Sequence, residues 1–384
     1  MKIIADENIP CVKQAFASLG EVTLLPGRTM QAGQVHDADI LLVRSVTSVN
    51  RALLQGSSVR FVGSATIGFD HVDRAWLQQQ GVGFATAPGS NAISAAEYVV
   101  SALLLLAQRK GFDLRHKTVG IIGCGNVGSR VRKRLAVLGM RSVVNDPPLQ
   151  SQGGHDDFVS LNEVLQADII TVHVPYTRDG LHPTHHLVND SVLQRLQPGA
   201  LFINTSRGAV ADNAALNKLL STRSDLSVVL DVWEGEPAIN TELLQRIDIG
   251  TPHIAGYSLD GKLRGTEMIY KSACEYFGQS GQWRVSDNLP AGAVVDVAAP
   301  AGISVAALLQ QAVSCCYDIC ADDARLRAML ALPDDEQAAC FDRLRKDYPV
   351  RREFSATTLR LPAGNDTAGQ LLRGLGFVVA AQSV

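Results

Sequence analysis

The sequence predicts an α/β protein built on a doubly wound parallel sheet, and three observations predict it. Thr118–Asp146 (TVGIIGCGNVGSRVRKRLAVLGMRSVVND) reads as a buried strand, a glycine turn, a helix and a second strand ending on a carboxylate. Short apolar runs alternate with helical segments on both sides of it, the rhythm of parallel strands with crossover helices. Polar residues cluster directly after the apolar runs, where open α/β sheets bind ligands.

Residues 1–92 read as a small α/β unit. Strands are expected at Lys2–Ala5, Glu21–Leu25, Ile40–Val43, Val59–Val62 and around Phe84, with helices near Val12–Leu19, Asn50–Leu54 and Val72–Gln80. Two turns, Val43-Arg44-Ser45-Val46-Thr47 and Gly63-Ser64-Ala65-Thr66-Ile67-Gly68, place polar side chains after strands, although ordinary turn chemistry also accounts for them. Ser94–Arg109 is an Ala- and Leu-rich helix long enough to join two domains, with Ser94 expected as N-cap and Glu97 completing a capping box. Further strands are expected at Ile169–His173, Ala200–Asn204 and Val228–Asp231, with helices at Leu161–Gln166, Ser191–Leu196 and Asn213–Leu220, so that 93–255 forms the doubly wound sheet. The tail carries an Ala- and Cys-rich helix, Ser304–Cys320, and two charged helical stretches. A strand–helix–strand pattern follows at Thr357–Leu361, Ala368–Leu375 and Phe377–Ala380, which reads as a small α+β module without a catalytic motif.

In Gly123-x-Gly125-x-x-Gly128, the first glycine allows a tight turn, the second leaves room for a pyrophosphate and the third lets the helix pack close. The helix offers unpaired N–H groups and its positive end to phosphates. Asp146, 18 residues past Gly128, can accept both hydroxyls of an adenine ribose and repels a 2′-phosphate. Pro147 and Pro148 bring no cation, so NAD is expected over NADP.

With 384 residues the chain has material for two or three domains. It is 46% apolar and 19% charged with a net charge of −3, which gives no reason to expect nucleic acid or an anionic membrane as partner. MKIIADENIP lacks a signal-peptide layout, and Tyr98–Ala107 is about half the ~20 apolar residues a bilayer requires, so a cytoplasmic protein is expected. The seven cysteines suit neither zinc nor a redox pair and read as reduced thiols. His182, His185 and His186 (LHPTHHL) invite a metal, but no recognisable ligand set completes them and none is expected.

Three catalytic candidates follow strands. Asn204-Thr205-Ser206-Arg207-Gly208 offers an arginine, which can grip a carboxylate in bidentate fashion. Asp231-Val232-Trp233-Glu234-Gly235-Glu236-Pro237 offers carboxylates, and Thr251-Pro252-His253-Ile254-Ala255-Gly256 a histidine, the usual proton shuttle near neutral pH. Each alone passes for a turn residue; three at one edge of a nucleotide-binding sheet point to a site.

The glycine loop, NTSRG, DVWEGEP and TPHIAG, in this order, resemble the D-isomer-specific 2-hydroxyacid dehydrogenases over residues 1 to about 285. The resemblance implies a Rossmann-type doubly wound sheet that binds NAD, inserted in a smaller flavodoxin-like α/β substrate domain made of 1–92 and 256–285, plus the C-terminal α+β domain 286–384. A helix over Leu259–Phe277 would return the chain. It assigns Arg207 to the substrate carboxylate and carbonyl oxygen, His253 to proton transfer and Glu236 to the histidine. To the cofactor it assigns Gly123, Gly125, Asn126, Val127, Gly128, Asp146, Ser206, Asp231, Gly256 and Val174, where a valine leaves a backbone contact in place of a side-chain hydroxyl.

ADENIP, VRSVTSVN, SATIGFDHVD and HIAGYSLDGKLRGT look like the family members that oxidise 4-phospho-D-erythronate to 2-oxo-3-hydroxy-4-phosphobutanoate in bacterial pyridoxal 5′-phosphate (vitamin B6) synthesis. That resemblance puts Ser45, Thr66 and Tyr257 at the substrate. A terminal phosphate asks for a second cation cluster, expected from Arg44, Lys262 and Arg264, and from Arg351 and Arg352 only if a dimer brings them near. It also implies a homodimer formed through the tail, a regulatory small-molecule module being the other reading of that segment. Two alternatives stand beside this function: another enzyme of the family, such as a phosphoglycerate dehydrogenase, and a non-enzymatic NADH-sensing module like the family's corepressors. The pI of about 6.3, the arginines placed for phosphate and the lack of disordered tails favour the enzyme. Turnover of 4-phosphoerythronate, against NADH-dependent partner binding without turnover, separates the two classes.

Overall fold

A computed structural model describes residues 1–153, 157–300 and 302–382. The chain divides into two compact units: Met1–Ala92 with Tyr257–Ala291, and Ile93–Gly256 with Gly292–Val384.

In the first unit five parallel strands, β1 (Lys2–Asp6), β2 (Glu21–Leu25), β3 (Ile40–Val43), β4 (Phe61–Ser64) and β5 (Gly83–Ala85), lie in the order β2-β1-β3-β4-β5. Side chains alternate between two apolar layers, which is why β3 and β4 are buried on both faces. Ile3, Ala5, Ile40 and Leu42 pack with Val12, Ala15 and Phe16, and with Ile269, Tyr270 and Ala273 of the returning helix Leu259–Tyr276. Phe16 meets Tyr270 edge to face at 5.4 Å. Ser258 starts this helix by accepting the Gly261 N–H at 2.9 Å. The strand order reverses between β1 and β3, and Arg44 and Ser45 leave the carboxyl end of β3 at that switch point.

The second unit holds β6 (Thr118–Ile122), β7 (Arg141–Asn145), β8 (Ile169–Val172), β9 (Leu201–Asn204), β10 (Ser227–Leu230) and β11 (Ile249–Gly250), all parallel, in the order β11-β10-β9-β8-β6-β7. Its switch point lies between β6 and β8. The tail adds a parallel three-stranded sheet, β12 (Ala293–Asp296), β13 (Thr357–Leu361) and β14 (Val378–Ala381). Leu326, Met329 and Phe341 of the tail share one apolar core with Phe202, Leu216, Leu243 and Leu244. Burial of that face ties the tail to the six-stranded sheet.

Several expectations change. The helix expected over Ser304–Cys320 is two, Val305–Cys316 and Ile319–Ala328, because Asp318 caps the second by accepting the Ala321 N–H at 3.1 Å. Cys320 therefore sits on a different helix from Cys315 and Cys316, and all seven cysteines are free. β11 is too short, and β12 too exposed, to announce itself as an apolar run. The helix Ala92–Lys110 begins before Ser94, so the expected capping box is absent. By length and composition alone that helix could cross a membrane, but 78% of its apolar window is buried inside the protein, which makes it a core helix.

Glu97, on that helix, is 1% exposed and accepts the Phe354 N–H at 3.0 Å. Burial, then the charge of Glu353, push its carboxyl up to about 8, against the pull of Arg351 and Arg134. The folded state thus holds a proton that the unfolded chain releases near its ordinary value, and the group's contribution to stability falls as pH rises toward 8. Glu97→Gln should flatten the loss of thermal stability between pH 5 and pH 8. An unchanged slope in a melting-temperature series would show that Glu97 is ionised when folded.

Candidate active site

The glycine turn occupies the switch point of the larger sheet. Gly123 has φ +89°, and a Cβ on Gly128 would lie 2.0 Å from the Gly123 carbonyl oxygen, so the loop and the helix Asn126–Val137 approach as only glycine allows. Gly125 has no heavy atom within 4 Å of where a Cβ would stand, and Gly125 and Asn126 are exposed. Among the described residues no side chain caps that helix N-terminus, which leaves N–H groups for a pyrophosphate. Asp146 closes the loop from the end of β7: one oxygen accepts the Cys124 N–H at 2.7 Å and the other the Leu149 N–H at 3.0 Å. Its carboxylate stands beside the loop where a ribose is expected. Val174 packs its side chain toward Gly123, and Val127 is half-buried. An NAD molecule fits these residues.

Next to it, the segments after β9, β10 and β11 deliver the catalytic candidates. The side-chain oxygen of Asn204 accepts the Ser206 N–H at 3.0 Å and its hydroxyl at 2.8 Å, and the Asn204 amide donates to the Arg207 carbonyl at 3.1 Å. This folds the turn and fixes the Ser206 hydroxyl, which donates to Asn204 and keeps its lone pairs to accept from a cofactor. A Cβ on Gly208 would fall 1.9 Å from the Trp233 carbonyl oxygen. Gly208 thus lets the Arg207 turn lie against the Trp233–Glu236 loop.

His253 Nδ1 meets Glu236 Oε2 at 2.7 Å, and the other Glu236 oxygen accepts the Trp233 N–H at 2.8 Å. Burial would raise the Glu236 carboxyl, but the charge and hydrogen bond of His253 and the Trp233 N–H outweigh it and hold the group below its ordinary range. An ionised carboxylate at Nδ1 fixes the tautomer with Nε2 as the free acceptor. His253 has φ +56°, a left-handed conformation that a histidine keeps only when its surroundings impose it.

Asp231 imposes it. Its carboxylate, 1% exposed, accepts the Thr251 hydroxyl and the Ile254 N–H, both at 2.7 Å, and the Ala255 N–H at 2.9 Å. Asp231, expected at the cofactor, also anchors the histidine turn. The sequence showed no sign of this, because the carboxylate and its partners lie 20 and more positions apart. Gly256 follows the turn, and its carbonyl accepts the Ser94 hydroxyl at 3.2 Å.

The histidine-rich loop also departs from expectation. Two distant carboxylates join His186: Glu234 at 2.7 Å from Nε2 and Asp212 at 3.9 Å from Nδ1. These three are the one group among the described residues whose ligand atoms cluster as for a cation, within 4.8 Å of one another. The two carboxylates face different ring nitrogens, which is the arrangement of a clamp on the ring. His173 is neutral, pushed down to about 3 by desolvation, and bridges Thr171 and Thr205.

In the first unit, Ser45 is exposed, and Thr66 bonds to Ser64 at 2.8 Å and to the Gly68 carbonyl at 3.2 Å. The Lys262 ammonium lies 4.7 Å from the centre of the Tyr257 ring. The protein packed around it, then the Arg44 guanidinium, push it down to about 8. Arg264 donates to the Ser90 carbonyl through Nε (3.0 Å) and Nη2 (2.8 Å), which commits two of its donors to the backbone, and Arg351 is buried in the second unit.

Residues 92–255 match the family model described as the D-isomer specific 2-hydroxyacid dehydrogenase, NAD binding domain, and 288–376 match a domain of unknown function, DUF3410. The chain belongs to the D-isomer specific 2-hydroxyacid dehydrogenases and is an NAD-dependent oxidoreductase. It is 48% identical over 378 residues to the erythronate-4-phosphate dehydrogenase of Escherichia coli O1:K1, covering 98% of both chains. Among solved structures it resembles the NAD⁺-bound 3-phosphoglycerate dehydrogenase of Entamoeba histolytica (TM-score 0.63, 24% identity, 74% of this chain and 98% of the other). It also resembles the D-lactate dehydrogenase of Aquifex aeolicus complexed with NAD and lactic acid (TM-score 0.59, 23% identity, 72% and 96%).

His253→Ala should lower turnover on the order of 10²–10⁴-fold, the share of a positioned acid–base group. Glu236→Gln should lower it less and move the acid limb of the pH–rate profile to lower pH, since a neutral amide stabilises imidazolium less. An acid limb that stays in place would separate Glu236 from the proton step.

Proposed function

We propose that the protein oxidises 4-phospho-D-erythronate at C2 to 2-oxo-3-hydroxy-4-phosphobutanoate, with NAD, in pyridoxal 5′-phosphate biosynthesis. The likeness to erythronate-4-phosphate dehydrogenases over 98% of the chain supports this reading. The observation that carries it is the pair Arg44 and Lys262: two cations close enough to repel, neither with a carboxylate partner among the described residues. A phosphate dianion is what such a pair accepts.

The bound nicotinamide ring supplies the hydride acceptor. His253, with Nδ1 donating to Glu236, receives the C2 hydroxyl proton at Nε2. Arg207 pairs with the substrate carboxylate and steadies the C2 oxygen as it becomes a carbonyl. Asp146 accepts the adenine ribose hydroxyls, and Gly125 admits the pyrophosphate.

We further infer a homodimer formed through the tail. Val294, Thr358 and Val378 stand in one cross-strand row, with the two valines 55% and 52% exposed, a face suited to a second copy. Sedimentation as a monomer would contradict it. A cytoplasmic setting accords with the free thiols.

The function is tested by initial rates with 4-phosphoerythronate, erythronate and 3-phosphoglycerate. 4-Phosphoerythronate should give the highest kcat/KM, and Arg44→Ala should raise its KM on the order of tenfold or more while sparing erythronate. KM for the phosphorylated acid should also rise as pH passes 8 and Lys262 loses its proton. Preference for 3-phosphoglycerate would overturn the substrate, and equal losses on both erythronates would overturn the phosphate site.

A further inference from the structure

The chain passes between the two units at Ala92–Ile93, at Gly256–Tyr257 and at Ala291–Gly292. Inside the second unit, one side chain of the tail reaches the ends of the first two passages. Arg351 donates through Nη2 to the Ser94 carbonyl at 2.7 Å and through Nη1 to the Ala255 carbonyl at 3.2 Å. Its guanidinium lies 3.8 Å from the centre of the Tyr317 ring, and the residue is 6% exposed. The Ser94 hydroxyl, bonded to the Gly256 carbonyl, ties the same two segments together directly.

The Ala255 residue is thus held at both ends. Asp231 takes its N–H and Arg351 takes its carbonyl, two residues beyond His253. A planar fork of donors can serve two separate carbonyls at once, whereas an ammonium has no such geometry. Without the guanidinium, the Ala255 carbonyl would lose this donor, which makes the turn costly to keep in place.

We propose that Arg351 is a positioning residue for the dehydrogenase reaction, clasping the first two passages and holding the Ala255 carbonyl while Asp231 holds the Ala255 N–H. The module that matches a domain of unknown function then forms part of the active-site scaffold. This inference rests on the dehydrogenase reading above.

The test compares Arg351→Ala, Arg351→Lys and Leu359→Ala in the full-length chain, the last removing a buried side chain of β13 to weaken the tail without touching the clasp. Arg351→Ala should lose kcat on the order of tenfold or more, the worth of charged hydrogen bonds, with KM for NAD nearly unchanged. Millimolar guanidinium should restore part of that turnover, and should do nothing for Leu359→Ala. Hydrogen exchange should show the Ile254 and Ala255 amides opening faster in Arg351→Ala than in Leu359→Ala. If Arg351→Ala fails to fold, Arg351→Lys is read by the same exchange, with the same expected direction. Turnover and exchange in the arginine variants no worse than in Leu359→Ala would overturn the clasp. A wild-type chain inactive on every 2-hydroxy acid would overturn the dehydrogenase reading instead, and exchange would still judge the clasp.

Discussion

A carboxylate buried beneath one loop governs the active site. Asp231 sits at the end of β10 with almost no solvent, and three donors from residues 251–255 converge on it. A buried charge is tolerable only when hydrogen-bonded in this way, so the loop has little freedom to move. The Thr251 hydroxyl is in turn shared with Tyr98 at 2.7 Å, and the Thr251 carbonyl accepts from the Trp233 indole at 2.9 Å. The left-handed backbone of His253 follows from these constraints, and with it the meeting of His253 and Glu236.

The second constraint is steric. Gly128 and Gly208 each stand where a methyl group would strike a backbone carbonyl. One lets the glycine loop seat its helix close to β6; the other lets the Arg207 turn lie against the loop that carries Glu236. Cofactor loop and catalytic loops therefore share the carboxyl edge of one sheet, the place where parallel α/β sheets bind ligands. The first unit repeats the logic on a smaller scale, with Arg44 leaving a strand at its own switch point.

Much of this was legible in the sequence, for physical reasons. Parallel strands buried on both faces leave nearly continuous apolar runs such as Ile40–Val43 and Ile169–Val172, and these were found near their true limits. The glycine spacing, Asp146, Arg207, Glu236 and His253 lie in short contiguous motifs. What was not legible depends on contacts between distant segments. Asp231 reads as one more strand-end acid until Ile254 and Ala255 are seen to donate to it. Arg351 reads as a phosphate cation that only a dimer could bring near until it is found bonded to Ser94 and Ala255, and Glu97 as half of a capping box until Phe354 is found bonded to it. Exposed or very short strands, such as β12 and β11, carry too little apolar pattern to be seen.

The central claim is that Asp231 sets the histidine turn. Asp231→Asn keeps the size of the side chain but sets an amide N–H₂ where one of the converging donors now finds an oxygen. The steady-state kcat of this variant, taken at a temperature where circular dichroism shows it folded, tests the claim most directly. A fall on the order of 10²-fold or more is expected, as for a displaced acid–base group. Near-normal turnover would contradict the account.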